Sequence, residues 1–176
     1  MPEQENVVPE TASPPARRKF AVFLDYRNLE QSLQERGDDD HLKDFFWLEE
    51  EIVRRGKIIA SFVFIPENYA FRAPVRQLSD IYQYNPILCL REMVKGGTTT
   101  KEKDSVDTKM INLAKGYIEI DGITDIVIVS GDADFSELAV HARRHQKNVT
   151  IISASEALSG RFIELNNRRF IDLVVI

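Results

Sequence analysis

Ile126-Val-Ile-Val-Ser-Gly-Asp-Ala-Asp-Phe135 is the stretch on which the fold turns. Four consecutive apolar residues open it, without the alternation of a half-exposed strand. Such a run describes a strand covered on both faces, as in a parallel sheet. A polar turn follows at once, and then Phe135, Leu138, Ala139 and Ala142 recur at helical spacing. The unit is strand, turn, helix.

The same alternation extends in both directions. Strands are expected at residues 20–24, 58–65, 87–90, 149–152 and 170–176. Between them lie helical stretches through Leu29 and Leu33, over residues 42–55 with Gly56 at the C′ position, and over residues 74–84. Two more run from Val106 to Ile118 and through Leu158, Phe162 and Leu165. Residues 38–40 read as an acidic loop and 91–103 as a polar loop rich in Gly and Thr. Strands alternating with helices imply right-handed crossovers. The expected fold is a three-layer α/β/α sandwich around a largely parallel central sheet, spanning residues 18–176. Residues 1–17 hold Pro2, Pro9, Pro14 and Pro15 among acidic residues and read as a disordered leader, with Arg17, Arg18 and Lys19 forming a solvated junction.

Composition narrows the classes. At 176 residues, the length fits about one domain of roughly 150 residues. Apolar residues make up 43% and charged residues 29%, as in a soluble protein. No apolar run approaches the ~20 residues of a membrane-spanning helix. The net charge of −5 excludes a strongly basic nucleic-acid coat, though not a local basic patch. Cys89 is the single cysteine, so no disulfide framework or cysteine zinc site is possible, and its apolar neighbours make it a small core residue. The first residues lack the basic start and apolar stretch of a signal peptide, which sets cytoplasmic as the expected location.

In an open parallel sheet, ligands bind beyond the carboxyl ends of the strands. Asp25 and Asn28 follow the first strand, and Ser130, Gly131, Asp132 and Asp134 follow the 126–129 strand. Asp107, with Asp104 nearby, opens the helix at Val106. If those two strands are neighbours, Asp25, Asp107, Asp132 and Asp134 converge on one rim. Clustered carboxylates repel unless a cation neutralises them. Hard oxygen donors without cysteine or histidine suit Mg²⁺ or Mn²⁺, and phosphodiester hydrolysis is the natural chemistry of such a site. Each acid also has a plainer role. Asp25 or Asn28 fits a helix N-cap, Asp134 with Glu137 fits a capping box, and Asp107 and Asp104 fit a helix N-terminus.

Together these residues resemble a known family. Val22-Phe-Leu-Asp-Tyr-Arg-Asn28, Val106-Asp107, Val129-Ser-Gly-Asp-Ala-Asp-Phe135, Ala157-Leu-Ser159 and Arg169-Phe-Ile-Asp-Leu173 are similar, in that order, to NYN domains of the LabA-like branch of the PIN-like nuclease superfamily. The resemblance covers residues 19–173. It implies a PIN-like sheet, a divalent-metal site and ribonuclease activity. Asp25, Asp107, Asp132 and Asp134 are the acids carried over, with Asn28 and Ser130 as polar supports. Two positions depart from the pattern. Ser105 stands where a Gly is often found, and Asn166, Asn167, Arg168 and Arg169 precede the final Phe-Ile where an acid is common.

RNA contacts are expected from Tyr69, Arg72 and Arg76, since aromatics stack bases and arginines meet phosphates. Lys101 and Lys103, on the loop leading to Asp107, are the second expected set. His141 and His145 lack the His-Glu-x-x-His arrangement of a zinc helix and read as surface residues. The leading reading is a ribonuclease dependent on Mg²⁺ or Mn²⁺, for which the domain's small size suggests a homodimer. One alternative is a non-catalytic RNA-binding or regulatory module, motivated by the missing late acid and the acidic net charge. A haloacid-dehalogenase-like phosphatase is the lesser alternative, because Arg27 occupies the position where that mechanism needs an acid.

Overall fold

The structure is a computed structural model that describes the backbone of residues 17–96 and 99–176 and the side chains of residues 17–90 and 105–176. The expected leader therefore lies outside the described residues, apart from Arg17.

The main sheet contains β1 (Lys19–Asp25), β2 (Lys57–Pro66), β3 (Asn85–Cys89), β6 (Asp125–Val129), β7 (Asn148–Ser153) and β8 (Asp172–Val175). Its order is β3-β2-β1-β6-β7-β8, and every pairing is parallel. The helices are α1 (Tyr26–Glu35), α2 (Asp40–Lys43), α3 (Phe46–Val53), α4 (Ala73–Asp80), α5 (Val106–Ile118), α6 (Ser136–Arg144) and α7 (Gly160–Asn167). Strand side chains alternate between two apolar layers. Phe20, Val22, Leu24, Val127 and Val129 pack with α1, α3 and α4. Ala21, Phe23, Ile126 and Ile128 pack with α5, α6 and α7. This is the expected three-layer sandwich. Among the described residues, no helix is long and apolar enough to cross a membrane.

The order of the strands fixes where a site can form. From β1 the chain winds outward through β2 to β3, then returns to the centre and winds outward again through β6, β7 and β8. Direction reverses between β1 and β6, where Leu24 pairs with Val129. Adjacent loops part at such a switch point and leave a crevice at the carboxyl ends. Asp25 and Ser130 emerge there, side by side.

Four local expectations change. The 42–55 helix is broken into α2 and α3, because Asp44 is extended (φ −148°) and accepts the Phe46 N–H at 3.0 Å. Gly56 is required for space, not for a left-handed turn. A Cβ there would lie 2.4 Å from the Phe20 ring and 2.5 Å from Arg18 O. Arg18 is not a solvated junction residue: it pairs with Asp125, which is 1% exposed and also accepts from Thr124 Oγ1 at 2.5 Å. Finally, the 91–103 loop is largely an antiparallel hairpin, β4 (Arg91–Gly96) with β5 (Thr99–Asp104). Its register sets Arg91 opposite Asp104 and Glu92 opposite Lys103, so residues of opposite sign occupy mirrored positions. Cys89 is fully buried, as expected.

Candidate active site at the β1–β6 switch point

Asp25 ends β1 and serves as N-cap of α1. Its Oδ1 accepts the Asn28 N–H at 3.1 Å, and the residue is only 6% exposed. The capping role is therefore real, and it fixes the carboxylate in one orientation. Asn28 lies one turn into α1, so it is not a cap. Its Oδ1 instead accepts the Gly131 N–H at 3.0 Å, across the crevice. This bond ties the start of α1 to the loop leaving β6.

That loop is organised by short local bonds. Ser130 Oγ accepts the Asp132 N–H at 3.2 Å. Asp132 Oδ1 accepts the Asp134 N–H at 3.0 Å and so caps the single 3-10 turn Ala133–Phe135. The expected Asp134–Glu137 capping box does not form, since α6 has no side-chain cap. Gly131 is the tightest point of the site. A Cβ there would lie 2.2 Å from Ala157 O and 2.5 Å from Ser153 Oγ. Its own carbonyl accepts the Ser159 N–H at 3.0 Å, while Ser159 Oγ caps α7 through the Arg161 N–H at 3.2 Å. Sequence reasoning had noted this glycine but not why it must be one. The signal was the pairing of Ser-Gly-Asp with a distant Ala-Leu-Ser.

Asp107 is the second residue of α5 and is half-buried. The helix packs against β1, β2 and the 133–135 turn, which brings its first turn to the same side of the sheet. Ser105, the departure from glycine, uses its hydroxyl to donate to Leu90 O at 3.0 Å, joining the exit of β3 to the start of α5. Asp134 is exposed and faces a different hollow, bordered by α5, α6 and α7. The structure thus joins Asp25, Asn28, Ser130, Gly131 and Asp132 through one bonded frame, with Asp107 approaching from α5 and Asp134 turned outward. The donors have hard-oxygen chemistry suited to Mg²⁺, which commonly takes only one or two protein carboxylates. Among the described residues, no three His, Cys, Asp or Glu side chains are grouped to hold a metal ion.

The expected RNA-contact residues differ from one another. Tyr69 is 9% exposed and meets Tyr26 edge-on at 6.0 Å. Arg72 lies 3.8 Å from the Tyr69 ring centre and pairs with Glu30, whose side chain is 5% exposed. Glu30 also accepts from Tyr26 Oη at 2.8 Å. Burial, and then the bond to Glu30, push the Tyr26 phenol far above its ordinary value. Tyr69 and Arg72 are thus committed to an internal network that closes over a buried carboxylate. Arg76 is exposed on α4, and Phe71 beside it is 94% exposed. Lys101 and Lys103 lie on β5, and their side chains fall outside the described residues.

A family model described as the NYN domain matches residues 19–174. No curated protein matches the chain. Among solved structures, a nicotinamidase from Staphylococcus aureus superposes with a TM-score of 0.41 at 12% identity, covering 89% of this chain and 99% of that one.

Proposed function

Because the chain belongs to the NYN domain family, with the match running through both strand ends of the crevice, we propose that it is a ribonuclease of the PIN-like superfamily, in the LabA-like branch. The observation that carries this reading is the Asn28–Gly131 bond, which locks the Asp25 and Asp132 ends of neighbouring strands into one frame. Asp25, Asp107, Asp132 and Asp134 are the proposed site carboxylates, with Asn28 and Ser130 in support. Mg²⁺ or Mn²⁺ would be held by Asp25 and Asp132, with waters and RNA phosphate completing its shell, and would supply phosphate neutralisation and a more acidic water. The protein's own contribution is placement. Caps fix both carboxylates, and the Ser130 and Asn28 bonds hold the loop so that little reorganisation is left for the reaction.

The test is incubation of the full chain with labelled single-stranded RNA and Mn²⁺, with an excess of chelator in a parallel arm. Cleavage that needs the cation and is abolished by Asp132→Asn is expected. Cleavage that persists in Asp132→Asn would show that the activity does not arise at this rim.

Asn166, Asn167, Arg168 and Arg169, standing where the resemblance leads one to expect an acid, favour one second reading. In it the domain binds RNA without cutting it. Tight RNA binding with no cation-dependent product is its signature.

A further inference from the structure

A further hollow of the domain opens away from the crevice. It has a volume of about 650 Å³ and lies over α6. Glu137, Val140, His141 and Arg144, spaced along one helical face, form its floor. Ile111 and Lys115 of α5 form one wall, and Arg161, Glu164, Leu165 and Arg168 of α7 form the other. Each of these helices precedes a strand of the same parallel sheet, so all three run in the same direction. The hollow therefore starts beside Asp134 at the rim and runs about 13 Å along the nine residues of α6 to Arg144.

Four cations, Lys115, Arg144, Arg161 and Arg168, line the hollow with three acids, Asp134, Glu137 and Glu164. Arg168 is paired with Glu164. Lys115, Arg144 and Arg161 are exposed and make no ion pair among the described residues, in a chain whose net charge is −5. Two lining residues also carry polar atoms sealed from water without a hydrogen-bond partner. These are Ser136 Oγ, on a residue 2% exposed, and His141 Nε2. Such atoms are rare in a finished fold, and both belong to α6 residues that line the hollow.

We propose that this hollow holds the phosphate backbone of the RNA strand leading away from the acidic rim. Arg161 meets the phosphate nearest the rim. Lys115 and Arg144 meet those further along, and the apolar faces of Ile111, Leu138 and Leu165 border the sugars and bases. At about 3.4 Å per stacked nucleotide, the length accommodates three or four residues of a single strand. The inference rests on the RNA reading above and assigns that site its direction.

The experiment is fluorescence anisotropy of a labelled single-stranded RNA 12-mer with the full chain, at two salt concentrations and with chelator present to prevent cutting. Arg144→Gln with Arg161→Gln is compared with Lys43→Gln with Arg54→Gln, which removes equal charge on the opposite helical layer. The hollow variant is expected to bind about tenfold more weakly, with a salt dependence shallower by about 1.4 for two lost contacts. The opposite-layer variant is expected to match the unaltered chain. If the double variant loses its melting transition, each single substitution is read instead. Unaltered binding by the hollow variants overturns this inference and leaves the RNA reading intact. Equal loss in both variants overturns it too, since bulk charge then explains the effect. Absence of RNA binding by the unaltered chain overturns both.

Discussion

Replacing Gly131 with Ala tests the frame of the site directly. The new Cβ would lie 2.2 Å from Ala157 O and 2.5 Å from both Ala157 C and Ser153 Oγ, against an ordinary contact of 3.4 Å or more. Two of those atoms are backbone and cannot rotate away, so the loop must retreat by about 1 Å. Overpacking of this kind costs about 1–3 kcal/mol. The retreat also stretches the Asn28–Gly131 and Gly131–Ser159 bonds, both 3.0 Å, at about 1 kcal/mol each. A loss of about 3–5 kcal/mol lowers the melting temperature by roughly 6–20 °C in a domain of this size. Displacement of Asp132 by the same distance lowers RNA cleavage by about 100-fold. Thermal melting followed by circular dichroism reads the first effect, and the Mn²⁺ cleavage assay reads the second. Gly116→Ala is the matched control, because a Cβ at Gly116 in α5 meets nothing within 4 Å. It should stabilise the domain, by up to about 1 kcal/mol. A Gly131→Ala protein that melts within 2 °C of the unaltered chain, on the order of an ordinary surface change, would refute the close-approach argument.

Asn28 and His141 each carry a further outcome. Asn28→Ala leaves the Gly131 N–H without its acceptor and should cost about 1–3 kcal/mol in urea unfolding, whereas Asn28→Asp, which keeps an oxygen at that place, should recover most of it. Equal losses in the two variants would show that the bond itself matters little. Burial, and then His145 and Lys115, hold the His141 imidazole below its ordinary 6.5, with Arg144 adding and Glu119 opposing. The unfolded chain therefore takes up a proton there before the folded one does. This contribution to stability is complete above about pH 6.5 and declines as the pH falls towards the depressed value. Urea unfolding at pH 8 and pH 5.5 should show that decline, and His141→Gln should flatten it.

The elements legible in the sequence were those whose signal is local. The uninterrupted runs in β1, β2, β6 and β7 announced two-sided burial, and each proved to alternate between two apolar layers. The β4–β5 hairpin was missed because its residues are mostly charged or Thr, with no apolar face to mark a period. Its one available signal was the mirrored charge order about residues 97 and 98. The break between α2 and α3 was hidden for the opposite reason. Leu42, Phe45, Leu48 and Ile52 keep helical spacing across it, and all four are buried, so the apolar pattern is continuous where the backbone is not. The pairing of Arg72 with Glu30 was not legible, because nothing in the segment of Tyr69 and Arg72 discloses a carboxylate that approaches from a helix some forty residues earlier.

At the site, the plain and functional readings of the acids turn out to be one arrangement. Asp25 caps α1 and Asp132 caps the 3-10 turn, each through Oδ1. A cap bond is also what holds a carboxylate in a single rotamer. Asn28 takes its N–H to Asp25 and its side-chain oxygen to Gly131. Gly131 in turn passes its carbonyl to Ser159 and leaves no room for a side chain beside Ala157. The scattered sequence fragments, Asp-x-x-Asn, Ser-Gly-Asp and Ala-Leu-Ser, are therefore consecutive links of one bonded path through the switch point. A change at any link must move the others. Ser159→Ala, which removes the α7 cap beside Gly131, should accordingly lower the melting temperature more than Asp134→Ala, which keeps the backbone N–H that bonds Asp132; equal shifts in melting followed by circular dichroism would refute the shared path.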